Sequence, residues 1–216
     1  MSTGRATIID VAEPLRSDAE AGAWLREAGE AKLSEGLEIL NRALHAFRLV
    51  MADPHMNQIA RRQLLVGRLG YGAGEQVADG LWTEARELLP RPERQPRQKV
   101  LQPQARLAAL LGGHERALAC EELVLRARLD LDSGRAREAA LQVLVALDAT
   151  LAEVAADPVG VRLAERLEEL RGQRDPVALA AQAALAGPLP ERGRHDVTFT
   201  IERIEAALRA RAVANA

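Results

Sequence analysis

The sequence predicts an all-α protein built from antiparallel helical hairpins, arranged as an α-solenoid-like stack or as an irregular helical bundle. Three observations carry this prediction. Apolar residues recur at alternating spacings of three and four, which places them on one side of a helix. Runs of β-branched residues are almost absent, which disfavours a sheet. Aromatic residues are only 2% of the 216 residues, so the core must consist of Leu, Val and Ala.

Composition and charge exclude several classes of function. Hydrophobic residues make up 48% of the chain and charged residues 28%, as in ordinary soluble domains. The part up to Pro103 has 14 basic and 14 acidic residues, and the remainder has 15 and 17. Neither part has the positive excess that binding to a phosphate backbone requires, so a nucleic-acid partner is not expected.

Cysteine usage and hydropathy indicate the compartment. Cys120 is the only cysteine, which rules out an intrachain disulfide and points to a reducing environment. No window of 18 apolar residues exists, and the amino terminus lacks the apolar core of a signal peptide. We therefore expect a cytoplasmic protein without a membrane partner.

The N-terminal half, residues 1–89, begins with a tail whose apolar residues Ile8, Ile9 and Val11 are suited to pack as a strap or as an edge. Ser17 and Glu20 match a capping box, which predicts a helix from residue 18. A stripe of six apolar residues follows at heptad-like spacing and requires a partner helix, either internal or from a second subunit. An internal partner is expected, because the stripe spans fewer than three heptads. Its members are Leu33, Leu37, Leu40, Leu44, Phe47 and Met51.

Further helices are predicted over residues 56–69 and 75–89, separated by the glycine-rich loop 67–74. This loop resembles a phosphate cradle only in its glycines, since no strand precedes it and no Gly-Lys-Ser or Gly-Lys-Thr follows. Polar and aromatic residues are nevertheless densest around it, so a ligand site would lie here. The alternative is a loop whose aromatic residues close a small core. The candidate ligand-binding residues are Arg61, Arg62, Arg68, Tyr71, Glu75, Gln76, Asp79 and Trp82.

Residues 90–103 contain four prolines among basic residues, which predicts an extended Pro/Arg-rich linker. The C-terminal half, residues 104–216, is organised around a central hairpin over residues 115–156. Its second arm carries one apolar stripe, and its first arm places Leu118, Leu125 and Leu129 on one face. Ser133-Gly134 predicts the turn, because glycine enters the left-handed conformation that ends a helix. The stripe of the second arm is Ala140, Leu144, Leu147, Leu151 and Val154.

The run Ser133-Gly-Arg-Ala-Arg-Glu-Ala-Ala140, followed by Val143, Ala146 and Leu147, resembles the turn and second helix of a tetratricopeptide repeat. A shorter echo is Gly80-Leu-Trp-Thr-Glu-Ala85. The resemblance covers about one and a half units centred on residues 118–151, and it implies stacked helical hairpins that bind proteins. An ordinary helical hairpin is the alternative.

The last third of the chain predicts three more helices. Asp157-Pro158 and Asp175-Pro176 each offer a capping Asp followed by Pro, which predicts helices over residues 159–171 and 176–186. A final helix is expected from Asp196, with an apolar face that consists of Val197, Ile201, Ile204 and Leu208.

No catalytic or metal-binding constellation is recognised. None of the four histidines has a Glu three residues before it, as a dimetal bundle site requires, and His-Glu-x-x-His is absent. Cys120 and His114 fall on different faces of a helix. We therefore predict a non-enzymatic interaction or scaffold module that needs no cofactor and binds a protein partner or a copy of itself. The alternatives are a small-molecule sensor or enzyme at residues 61–84 and a nucleic-acid-associated protein that uses residues 86–99.

Overall fold

The computed structural model describes residues 4–11, 14–88, 104, 106–157 and 160–214. Within them it contains eight helices and one two-stranded sheet, with 68% of the residues helical, so the predicted all-α class is confirmed. The chain divides into two compact units, Met1–Arg94 and Gln95–Ala216. We call them unit 1 and unit 2 and describe each by itself. The predicted linker, residues 90–103, lies outside the described residues.

Unit 1 consists of two helices and a β-hairpin. Ser17 caps the first helix, because its Oγ accepts a hydrogen bond from the Glu20 amide at 3.2 Å, as the capping pattern predicted. The Glu20 carboxylate in turn accepts from the amide of Arg16 at 2.8 Å. The elements are α1 (Asp18–Glu27), α2 (Glu30–Met51), β1 (Gly67–Tyr71) and β2 (Glu84–Leu88), with 3-10 turns at Arg61–Gln63 and Glu75–Val77.

The prediction of helices over residues 56–69 and 75–89 is wrong. The strands β1 and β2 pair antiparallel instead, with Gly67 opposite Leu88 and Tyr71 opposite Glu84. Glycines in a helix each cost about 1 kcal/mol relative to Ala, whereas in this hairpin they permit close packing. A Cβ on Gly70 would lie 2.7 Å from the Glu84 carbonyl oxygen, and one on Gly67 would lie 2.6 Å from a Leu33 methyl group.

Unit 2 is a helical bundle around the predicted hairpin. The turn between its arms contains Gly134 with a φ of 72°, the left-handed conformation that the sequence indicated. The helices are α3 (described over residues 106–111), α4 (Ala119–Asp132), α5 (Ala136–Ala156), α6 (Ala164–Gly172), α7 (Arg174–Ala186) and α8 (Glu191–Ala214), with a 3-10 turn at Gly160–Leu163. Helices α7 and α8 thus begin earlier than the sequence predicted, and Asp175 lies inside the first turn of α7.

The core of unit 2 lies between α4, α5, α7 and α8. On α5 the predicted stripe packs as expected, since Ala140, Leu147 and Val154 are fully buried. The predicted face of α4 is wrong. Leu125 and Leu129 are 62% and 48% exposed, while Cys120, Val124 and Ala127 are buried. The smaller residues form the contact because they let α4 approach its neighbours closely.

Helix α5 is also the one described helix whose length and mean hydropathy, 1.6, would suit a membrane span. Seven of its side chains are buried in the bundle, including Val143 and Ala146. The bundle core therefore accounts for part of its apolar character, since 39% of the apolar 18-residue window is buried.

A polar cluster joins the end of α8 to the starts of α3 and α4. Arg211, with a side chain only 7% exposed, donates to Asp157 at 2.7 Å and lies 3.8 Å from Glu115 and from Glu121. Arg106 donates to the same two glutamates at 3.0 Å and 2.6 Å. Because these charges are paired, the cluster fixes the helix ends rather than presenting an open site.

Candidate functional site

The candidate site is a face of α2 that unit 1 leaves uncovered. This helix has 22 residues, and none of them is buried. An amphipathic helix of this length normally buries an apolar stripe against its neighbours. Unit 1 therefore covers the apolar side of α2 only in part.

The predicted stripe is covered over only part of its length. Leu33, Leu37, Leu40 and Leu44 are half-buried on the side that faces β1 and the segment after α2. Asn41 holds this segment in place, since its side-chain amide donates to the Ile59 carbonyl at 3.0 Å and its oxygen accepts from the Ile59 amide at 2.8 Å. The last two residues of the stripe, Phe47 and Met51, remain 51% and 58% exposed.

A second apolar stripe runs beside the first, and its residues beyond Gly36 are exposed, with exposed fractions that include 38% at Ile39 and 81% at Val50. It consists of small and β-branched residues at spacings of three, four, three and four, the heptad pattern of a helix contact. With Phe47 at its margin it forms a surface that we call the open face. The open face comprises Ile39, Ala43, Ala46, Phe47 and Val50, all of them exposed, and the stripe begins one turn earlier at Gly36.

The N-terminal segment, expected to pack as a strap or as an edge, contacts α2 through Ile8 and Asp10, and this strap limits the open face at one end. The Cδ1 atom of Ile8 lies 3.6 Å from the position that a Cβ would take on Gly36. Lys32 pairs with Asp10 of the same segment at 3.2 Å. The strap therefore occupies the first turns of α2, and the open face extends from Ile39 to the end of the helix.

The open face carries no charged residue. Glu38 and Arg42 lie on the polar side of α2, and the exposed fraction of Val50 reaches 81%. Covering this surface would remove apolar area from water without burying an unpaired charge. Chemically, it is suited to contact another apolar surface.

The eight residues of the predicted ligand site are spread along the hairpin and its loop. Arg68 and Tyr71 both lie on β1, but three positions apart, so their side chains point to opposite sides of the sheet. Arg68 pairs with Glu87 at 3.3 Å, and the Tyr71 hydroxyl donates to Glu84 at 3.0 Å, a bond that raises the pKa of Tyr71.

The other six members of that set lie on the two 3-10 turns and in the loop between β1 and β2. Arg61 pairs with Glu30 and donates to the Leu88 carbonyl at 3.4 Å, which ties α2 to β2. Trp82 is half-buried against Gly70. Arg62, Glu75, Gln76 and Asp79 are exposed on the two 3-10 turns and the loop that follows the second turn.

Cys120 on α4 contacts Glu153 on α5, and this contact changes the pKa of the Cys120 thiol. Cys120 is fully buried, and burial together with a bond to Glu153 raises the pKa of its thiol to about 12. A protonated, buried thiol is a poor nucleophile, and His114 is exposed in the turn after α3. In the described part of the chain, no group of three or more His, Cys, Asp or Glu side chains is placed to hold a metal ion.

Comparison with family models, with curated proteins and with solved structures finds no match to this chain.

Sequence reasoning identified the helix that carries the open face but missed the face itself. The spacing of Gly36, Ile39, Ala43, Ala46 and Val50 is visible in the sequence. The sequence did not indicate this spacing as a contact surface, because glycine and alanine are weaker signals of a helix contact than the neighbouring stripe of leucines. A heptad search that includes small residues would have found it.

Proposed function

We propose that this chain is a non-enzymatic protein–protein interaction module of the cytoplasm and that α2 is its binding element. The observation that carries the proposal is the open face, an apolar helical surface without cover in unit 1. Fully burying a large apolar side chain contributes about 1.5–3 kcal/mol. A partner that covers Phe47 and Val50 therefore gains part of the free energy that binding requires, and the rest must come from a wider contact.

Two further features support an interaction module. The candidate ligand residues with described contacts, such as Arg61, Arg68 and Tyr71, are engaged with neighbours in unit 1. The resemblance of residues 133–147 to a tetratricopeptide repeat is consistent with the same class of function, because such hairpins recognise other polypeptides.

The proposal is tested by affinity isolation from the native cell with a matched pair of surface variants. Val50→Arg places a charge in the open face, and Val161→Arg places the same charge on unit 2. Both valines are highly exposed, at 81% and 86%, so neither change disturbs packing within its unit. We expect Val50→Arg to lose the partner captured by the parent chain and Val161→Arg to retain it. Equal capture by all three chains would refute α2 as the binding element.

A further inference from the structure

We infer that the polypeptide covering the open face is a second copy of this chain, with the two α2 helices packed antiparallel. The inference rests on the proposed function and names its partner. Three features support this pairing: the order of side-chain sizes along the face, the position of the strap and the small core of unit 1.

The sizes along the open face suit antiparallel pairing. In an antiparallel contact between heptad stripes, residues whose numbers add to a constant lie opposite each other. With that constant at 89, Ile39 meets Val50 of the other copy, and Ala43 meets Ala46. Branched residues then pack at both ends of the contact and alanines pack in the middle, so the helices approach most closely at the centre.

The strap selects the antiparallel orientation over the parallel one. In a parallel pair, the segments that contain Ile8 would lie side by side at the Gly36 end and hold the helices apart. In the antiparallel pair, Gly36 falls opposite residue 53 of the other copy, beyond the end of α2 at Met51. Each strap then clears its neighbour, and only the uncovered part of α2 is used.

Unit 1 has a small apolar core, so a partner that constantly covers its open face would stabilise it. Of the 24 buried apolar side chains among the described residues, only Ala21, Leu25 and Val77 belong to it. So few buried side chains leave unit 1 marginal by itself. A second copy of the chain is present wherever the chain is synthesised. It can therefore cover the open face without requiring another protein.

The area is sufficient for such a contact. The open face and Met51 offer on the order of 500 Å² per copy, or about 1,000 Å² in total, the lower limit of a specific association. Because the face carries no charged residue, no ion must be desolvated when it is covered.

Light scattering on the full chain provides the first test. The parent and Val161→Arg are expected at twice 23.4 kDa, and Val50→Arg at 23.4 kDa. A parent that stays at one copy, or a Val50→Arg variant that stays at two, would overturn the inference. Circular dichroism of each variant checks that helix content is retained.

Cross-linking tests the orientation and remains informative if Val50→Arg folds poorly. The double variant Ile39→Cys with Val50→Cys is treated with a short bismaleimide; the native Cys120 is buried and does not interfere. The two new thiols are about 16 Å apart on one helix, at 1.5 Å per residue, and cannot be joined within a chain. Antiparallel pairing predicts a covalent dimer from the double variant and none from Ile39→Cys alone. A dimer from the single variant would overturn the antiparallel arrangement.

The two tests separate this inference from the proposed function. A monomeric parent whose captured partner is lost on Val50→Arg removes the second copy but keeps α2 as a binding element. A parent dimer that survives Val50→Arg, together with unchanged capture, removes both.

Discussion

Glu153 shows how a single side chain completes a distant helix end. The capping residue of α4, Leu118, has no side-chain acceptor for the first amides of the helix. Glu153 on α5 supplies one, accepting from the Ala119 amide at 3.1 Å and from the Cys120 amide at 2.9 Å. Burial opposes its charge, but these bonds stabilise the carboxylate and lower the pKa of Glu153 below its ordinary value of 4.5.

Replacing this carboxylate should weaken unit 2 in a pH-dependent way. Glu153→Gln is expected to lower the free energy of unfolding by about 1 kcal/mol at pH 7, the usual value of a helix cap. Because the pKa of Glu153 is lowered on folding, its contribution is present above pH 4.5 and disappears as the pH falls through the folded pKa. The difference between parent and variant should therefore be smaller at an acidic pH below 4.5 than at pH 7, as measured by urea unfolding. Glu202→Gln, exposed on α8, is the control and should have little effect. An equal deficit at both pH values would contradict the capping role.

At the scale of elements, the hairpin of unit 1 depends on glycines. From the sequence, these glycines predict a loop between two helices. Gly70 lies where β1 approaches Glu84 and the ring of Trp82, and a Cβ there would lie 2.9 Å from the ring. Gly70 of the glycine-rich segment thus has a packing role in the hairpin. Small residues at these positions let two short strands and an indole ring pack tightly.

Two glycine substitutions should shift the stability of unit 1 in opposite directions. Gly70→Ala is expected to lower the free energy of unfolding by about 1–3 kcal/mol, the usual cost of overpacking. Gly22→Ala lies in α1, where the nearest atom to a new Cβ is the flexible end of Arg26 at 3.5 Å, and should raise it by about 0.5–1 kcal/mol. Tryptophan fluorescence reports on this unit, because both tryptophans, Trp24 and Trp82, lie in it. A stabilising Gly70→Ala would show that the strands do not approach as closely as described.

At the scale of the molecule, burial is distributed unevenly between the units. Unit 2 contains all the fully buried large apolar side chains described, including Leu147, Leu170 and Ile204. It is supported by ion pairs between helices, such as Arg128 on α4 with Glu205 on α8 at 2.9 Å. Unit 2 is therefore expected to be self-sufficient, whereas unit 1 gains from a partner.

Within unit 2, the burial of a side chain predicts how much its truncation will lower the free energy of unfolding. Leu147→Ala removes a fully buried side chain from the centre of unit 2 and should cost about 2–5 kcal/mol. Leu185→Ala, at a position 70% exposed, should change stability by less than about 0.5 kcal/mol. Both are measured by urea unfolding followed through the helical circular dichroism signal. A small effect of Leu147→Ala would mean that the core is looser than described.

The sequence by itself determined the features that depend on near neighbours. The Ser17–Glu20 cap, the left-handed Gly134 turn and the stripe on α5 follow from contacts within a few residues, so helical periodicity predicts them. The wrong face of α4 has a different origin. Leu125 with Leu129, and Cys120 with Val124 and Ala127, are both spaced as helical stripes, and the sequence favoured the larger residues.

Only the tertiary structure decided between those faces, because the choice depends on how closely the neighbouring helices approach. It also decided that residues 67–88 form a hairpin, since strand pairing joins residues as distant as Gly67 and Leu88. The open face of α2 has the same origin. Periodicity can show that a helix has an apolar side, but only the positions of the strap and of β1 determine which part of that side remains uncovered.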